Sequence, residues 1–543
     1  MKTSTASSAR QIVSRVTALL LILVFALSVT ACANNGKTPA ETTSSGEVTA
    51  TPDETTASLF EPDDLPAQLN LNETVTMLYW EDFENVEFFV EDEGSDSGEV
   101  TATPEETTAS LFEPDDLPAQ LNLNETVTML YWEDFENVEF FVEDEGSDSV
   151  EYAIKNRNAK VLARLGVEID FVPTPGNYNN RSNFEKTVYA DFSGSNSYDI
   201  YAAYSMSVAN CAYSGYCANL YDYSVINFEK PWWPKKLTSE AVINNKLYFA
   251  SGDISTNMLY MMYVMYFSKP IVTDNGIESP YDCVDKGTWT IDKMIEMAAV
   301  IANDLDADNK IYGLATSSSV HYDPFFYGAG LRTLDRAEDG SLIISDLFGS
   351  ERAQNTATKM AEFLNNGQCT ASKGQELFRD GRALFSVNRA RYASQFLSDT
   401  DMGFGIVPMP KYDETQEEYA TCLGFPYTLY AISSGSRHAE AAAYLLEALA
   451  SESYRTVTPA LFEVSMKIRY VDDPIAARMF DIVHDGVSFD VGRIFCSSLD
   501  TITFRLFRDV LTNNTSYATE YAKKKIQLNV YLKKFVEQFD KIA

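Results

Sequence analysis

A strand, a helix and a second strand follow one another at 126–173, and this succession restricts the fold more than any other part of the chain. "TVTMLYW" (126–132) is rich in β-branched and aromatic residues and reads as a strand. "VEYAIKNRNAKVLARLG" (150–166) sets Ile154, Val161, Leu162 and Leu165 along one helical face, with Gly166 where a helix C-cap is expected. "VEIDFVP" (167–173) is the second strand. Two strands joined through a helix imply a parallel pair with a right-handed crossover. The alternation continues. Strands are expected at 198–205, 246–253, 258–269, 383–387, 404–410 and 426–433. Helices are expected from Thr290, from Ser350 towards Gly367, over 438–450, and at the C-terminus, where Leu528, Tyr531, Leu532, Phe535 and Phe539 share a face. The fold class is therefore α/β.

The opening strand is present twice. Residues 46–97 and 98–149 agree at every position except Asp53 against Glu105. Only the second copy runs on into the helix and strand of 150–173; the first runs into another stretch rich in Thr, Glu, Asp and Pro. The second copy is thus expected to open the fold and the first to be a spare strand. Segments of that polar composition bury too little apolar surface to order themselves, so 32–125 reads as an acidic tether.

Ahead of it, Arg10 and Arg15 precede the apolar run "VTALLLILVFALSVTA" (16–31), which is short for a membrane span. Val29-Thr30-Ala31-Cys32 resembles a bacterial lipobox, so 1–31 is expected to be a lipoprotein signal peptide and Cys32 a lipid-modified anchor. The net charge of −37 is mostly local: each repeat copy carries 15 acidic residues and no Lys or Arg, and 150–543 sums to only −10. Nothing in this pattern offers the basic face that nucleic-acid binding needs. Cys211 and Cys217, in "CAYSGYC", either close a small disulfide loop or are free thiols.

Several segments together carry a family resemblance. They are "KPWWPKK" (230–236), "NKLYFASGDI" (245–254), "KGTWTIDKM" (286–294), "GRALFSVNRAR" (381–391), "DMGFGIVPMPKYDETQEEY" (401–419) and "SGSRHAEAAAYLLEALASESYRTVTPALFEVSMKIRY" (434–470). In their order and spacing, over roughly 126–543, they resemble family 1 of the extracellular solute-binding proteins, the maltose-binding-like lipoproteins of carbohydrate ABC transporters. The resemblance implies a two-lobed, periplasmic-binding-protein-like type II fold that closes on a ligand about a hinge. Lobe 1 is expected at 126–266 plus 420–455 and lobe 2 at 267–419 plus 456–543, with crossovers near Tyr266-Phe267, Thr421 to Tyr427, and Tyr454. It further implies a monomer, tethered to the outer face of the bacterial cell membrane, that passes a carbohydrate to ABC permease subunits without cofactor, metal or catalysis.

Sugar binding needs flat apolar faces for pyranose rings and a few polar groups for the hydroxyls. Trp132 and Glu133 end the first strand and Tyr204 another, where open α/β sheets bind ligands; a core-capping Trp and a solvated Glu are the alternatives. Trp232 and Trp233 lie between two prolines, and two adjacent side chains do not easily share one core, so at least one is expected in the cleft. Trp289 either faces the cleft or staples onto Met294. His321 and Asp323, in "HYDPFFYGAG", are candidates for sugar hydroxyls, with a capping role open for Asp323. Asn388, Arg389 and Arg391 follow a strand end, and an arginine fork suits hydroxyl pairs or a carboxylate. "DLDADNK" (304–310) resembles a calcium loop but lacks the Gly and the bidentate Glu, so it reads as a solvated acidic loop. The rival classes are a secreted carbohydrate-active hydrolase, a non-sugar solute binder and a structural surface protein. The first has no H-E-x-x-H, G-x-S-x-G or P-loop to support it.

Overall fold

The second repeat copy supplies a central strand. In the computed structural model, β1 (Glu125–Glu133) pairs in parallel with both β2 (Val167–Pro175) and β3 (Ile200–Tyr204). The structure describes residues 113–134, 137–142, 148–301, 310–398, 400, 402–462, 466 and 474–542. All belong to one compact unit, Glu99–Ala543. Cys32, the first repeat copy and most of the 304–310 loop lie outside the described residues. Val127, Met129 and Leu130 of β1 are fully buried, as expected for a strand covered on both faces. Helix α1 (Ser149–Leu165) makes the crossover. Asp148 caps its start by accepting from the Val150 and Glu151 amides, and Gly166 ends it in the left-handed region.

Two larger sheets result. The first has the order β11-β3-β1-β2, with β11 (Thr428–Ile432) antiparallel to β3. Helices α2 (Arg181–Phe192) and α3 (Ser205–Tyr213) follow β2 and β3. The second sheet has the order β10-β4-β9-β5-β8: β4 (Tyr263–Ser268), β5 (Tyr312–Ala315), β8 (Cys369–Thr370), β9 (Ala383–Arg389) and β10 (Phe404–Val407). A small hairpin, β6 (Leu334–Arg336) and β7 (Leu342–Ile344), completes the strands. Helix α4 (Ile291–Ala299) starts at Thr290, whose hydroxyl accepts from the Lys293 amide, and α5 (Glu351–Asn365) starts likewise at Ser350. Later come α6 (Ala439–Arg455), α7 (Ile502–Asn513) and α8 (Tyr517–Ile542).

Four features differ from the sequence reading. The 246–253 segment makes only isolated bridges, at Lys246 opposite Ile243 and at Ala250 opposite Tyr430. The stretch 258–269 begins as a helical turn ending at Tyr260, so β4 and the second sheet start at Tyr263, before the expected crossover.

Third, residues 113–124, tether by composition, are docked on the fold. Asp115 accepts from Arg164 at 2.7 and 2.8 Å, from Arg455 at 3.0 Å and from the Ser451 hydroxyl at 2.8 Å. Burial raises its pKa, but these donors outweigh that and hold the carboxyl far below the usual range. The Leu121, Leu123 and Asn124 amides bond the carbonyls of Arg164, Leu165 and Gly166.

Fourth, α8 belongs to neither half alone. Its start packs Tyr517 and Tyr521 on Phe348, beside the second sheet's α5. Its end stacks Phe535 on Tyr213 at 5.7 Å and sets Phe539 against Tyr248, both in the first half. Cys211 and Cys217 are buried free thiols, and burial pushes both pKa values up.

Candidate functional site

Topology brings one edge of each sheet to the same place. The chain passes between the sheets at 258–263 and 421–427. There Met262 bridges Leu423, the Tyr263 amide bonds the Cys422 carbonyl at 3.0 Å and the Gly424 amide bonds Met261 at 2.8 Å. Val487 runs beside Thr421 as a third connecting segment. β4 and β11 both begin here, so their antiparallel partners end here: β9 at Arg389 and β3 at Tyr204. The strands parallel to those partners, β1 and β2 on one side and β5 on the other, present their C-terminal ends as well. Trp132, Glu133, Tyr204, Asn388 and Arg389 therefore lie on the two edges that meet at the connecting strands.

On the first edge, aromatic rings lead from core to solvent. Trp132 is buried and donates to the Thr428 hydroxyl at 2.9 Å. Its ring meets Tyr204 edge-on at 5.7 Å, and Tyr204 lies 6.5 Å from Tyr178. Tyr178 is 54% exposed. The Arg181 guanidinium sits 4.7 Å over that ring and donates to the Met206 thioether at 3.3 Å. Gly176 lets the loop pass: a Cβ there would lie 2.7 Å from that of Trp132. Glu133 is exposed, and Asp134 accepts from Asn177 at 3.0 Å.

On the second edge, Arg389 is half-buried and donates to the Met261 thioether at 3.3 Å. Burial raises the phenol pKa values of Tyr204 and Tyr263, and the charge of Arg389 opposes the rise in both. One arginine thus stands near a tyrosine from each sheet. Asn388 is buried; its side-chain carbonyl accepts from the Arg389 amide, and its Nδ2 has no partner among the described residues. Arg391 lies 5.0 Å over the Tyr260 ring. His321 is buried 6.1 Å from Tyr263, with Nδ1 accepting from the Ser317 amide. Burial first, then the charges of Arg389 and Arg508, push its pKa down to about 3, so the imidazole is neutral.

The remaining candidates are held elsewhere. Asp323 is buried between two arginines, accepting from Arg493 at 3.0 Å and Arg508 at 2.9 Å, so its oxygens are engaged within the protein. Trp289 is fully buried and donates to the Pro408 carbonyl at 2.8 Å.

Trp232 and Trp233 both enter one core, contrary to the expectation that adjacent side chains would not. A buried carboxylate resolves the conflict: the two indole N–H groups converge on Glu447, at 3.1 and 2.8 Å. Burial pushes the Glu447 carboxyl from its ordinary 4.5 up to about 7, against donation from both indoles and the Asn227 amide. The folded chain therefore holds this proton more tightly than the unfolded one, and stability is lost as pH rises through that window. Relative to Glu447→Gln, the wild type should lose about 3 kcal/mol between pH 4.5 and 8. Denaturant melts followed by tryptophan fluorescence check this.

Sequence reasoning missed Tyr178, Arg181, Tyr260, Met261 and Tyr263. The available signal was the position of "PGNYNNR" (175–181) just after a parallel strand, where ligand loops gather.

A cavity of about 340 Å³ borders the connecting strands and is lined by residues that include Met258, Met262, Tyr454, His484 and Phe489. Among the described residues there is no group of His, Cys, Asp and Glu able to hold a metal, and no helix long and apolar enough to cross a membrane.

The fold is the two-lobed α/β fold of ABC-transporter substrate-binding proteins. It is shared with a cyclic α-maltosyl-1,6-maltose binding protein from Arthrobacter globiformis: TM-score 0.54, 15% identity, 75% of this chain and 99% of that one covered. A galacto-N-biose/lacto-N-biose I-binding protein of the ABC transporter from Bifidobacterium longum gives 0.53 and 13%, over 77% and 99%. An ABC substrate-binding protein from Listeria monocytogenes in complex with cycloalternan gives 0.50 and 12%, over 75% and 98%. No protein-family model matches the sequence, and no curated protein does.

Proposed function

We propose that this chain is the extracytoplasmic carbohydrate-binding subunit of an ABC importer, a binding protein and not an enzyme. It would capture an oligosaccharide between its lobes and deliver it to the permease. The observation that carries this reading is the meeting of two sheet edges at the connecting strands. One offers the exposed ring of Tyr178 and the other the half-buried guanidinium donors of Arg389. A flat ring with a few donors suits the apolar face and hydroxyls of a pyranose, and three sugar-binding proteins share the fold. The lobes would be 126–266 plus 420–455 and 267–419 plus 456–543, adjusted for β4 and for α8, which touches both.

Calorimetry against a panel of oligosaccharides tests the reading. Tyr178→Ala, which removes an exposed ring, should melt like the wild type yet bind about 10- to 100-fold more weakly, from roughly 1.5–3 kcal/mol of lost apolar contact. If Phe489→Ala weakens binding and Tyr178→Ala does not, the ligand occupies the cavity beside Met262 instead. Turnover of any sugar would favour the hydrolase alternative.

The anchor belongs to the same proposal. Cys32 would carry lipid and hold a monomer on the outer membrane face. Cys32→Ser should shift the protein to the medium or leave it unprocessed, and unchanged lipid labelling would refute the assignment.

A further inference from the structure

We infer that the ligand of this cleft is an acidic sugar, one whose carboxylate is received by Arg389. This rests on the cleft reading above and adds the chemical class of the ligand. Arginine side chains that enter a fold usually do so against carboxylates, as Arg493 and Arg508 do against Asp323. Arg389 does not. Among the described residues its guanidinium donates to the sulfur of Met261, and a thioether is a weak acceptor. Arg181, across the connecting strands, is placed in the same way: it donates to the sulfur of Met206 and covers the ring of Tyr178. Glu185, one turn along its helix, is bonded to Asn210 at 2.9 Å and feels the charge of Arg181.

The surroundings add to the positive side. The ring of His321 feels the charges of both Arg389 and Arg508, while among the described residues Asp323 is the one carboxylate bonded to Arg493 and Arg508. The imidazole between them is neutral and contributes no charge. Asn388, which precedes Arg389, holds a buried Nδ2 donor without an acceptor among the described residues. Two carboxylates lie on the first edge, Glu133, which is exposed, and Asp134, which accepts from Asn177. They stand at the end of β1, on the sheet opposite Arg389. In a chain of net charge −37, this is a local excess of cations and of unmatched donors. A planar guanidinium accepts a carboxylate through two parallel hydrogen bonds. A uronic acid sugar supplies that carboxylate on a ring whose apolar face can lie on Tyr178.

Calorimetry and competition should use di- and trigalacturonate, glucuronate-containing oligomers and neutral oligomers of the same length and linkage, at 50 and 500 mM NaCl. The acidic member of a pair should bind at least about tenfold tighter, with the margin shrinking at high salt. Arg389→Gln should cut acidic binding about 10- to 100-fold and neutral binding, which loses hydroxyl contacts but no ion pair, by a clearly smaller factor. Arg389→Lys should restore part of the loss, and thermal melts confirm that both variants fold. Neutral sugars binding as well as their acidic partners would overturn the inference and leave the carbohydrate reading standing. Binding of a non-sugar carboxylate with no sugar bound would overturn the carbohydrate reading and keep the role of Arg389. Silence across the whole panel would overturn both.

Discussion

Val127→Asp is expected to unfold a chain lacking residues 46–97, yet to cost the full-length protein only about 2 kcal/mol. Val127 is fully buried in β1, the strand held between β3 and β2. A carboxylate there costs several kcal/mol, a large part of a typical 5–15 kcal/mol stability. The full-length chain carries a second copy of that strand, with Val75 in place of Val127 and Glu87 in place of Glu139. If copy one takes the slot, the link from the docked residues to the α1 cap at Asp148 starts at Val90 rather than Val142, 52 residues further back. Loop closure over that extra length is the main cost, about 2 kcal/mol. Deletion of 46–97 alone should leave the melting temperature unchanged. Circular dichroism melts of the four chains decide the matter; equal damage by Val127→Asp with and without copy one would show that the copies do not interchange.

Asp323→Ala is the second large effect. The substitution leaves Arg493 and Arg508 without the carboxylate they share, and losing one side of a buried ion pair costs roughly 3–5 kcal/mol. Adding Arg493→Met should regain part of that loss, because an uncompensated charge is then removed. Chemical denaturation of both variants measures it. A stable Asp323→Ala protein with lost sugar affinity would restore the hydroxyl-binding role suggested by its sequence context.

These two residues mark what was legible in the sequence. The β1-α1-β2 unit was, because runs rich in β-branched and aromatic residues, a period of 3.6 and a C-cap glycine occur within 48 consecutive residues. The partners of buried charges were not. Asp323 meets arginines 170 and 185 residues further along, and Glu447 meets Trp232 from 215 residues away. Residues 113–124 read as tether because composition shows their acids and not Arg164 and Arg455, which receive Asp115. Tyr178 and Arg181 gain meaning only once β2 is known to end at the connecting strands.

The last helix has a geometric consequence. A body joined to another at one flexible point retains three ways of turning. The halves of this protein are joined at the connecting strands and again through α8, whose 26 residues extend about 39 Å, from Phe348 on one half to Tyr213 and Tyr248 on the other. A further contact between the halves is the Arg332–Glu240 ion pair at 2.6 Å. A turn of one half on the other that leaves the connecting strands in place must either keep α8 seated or lift Phe535 and Phe539 from their aromatic seats. The helix thus works as a brace beside the joint, with Tyr178 and Arg389 on the two parts it ties together.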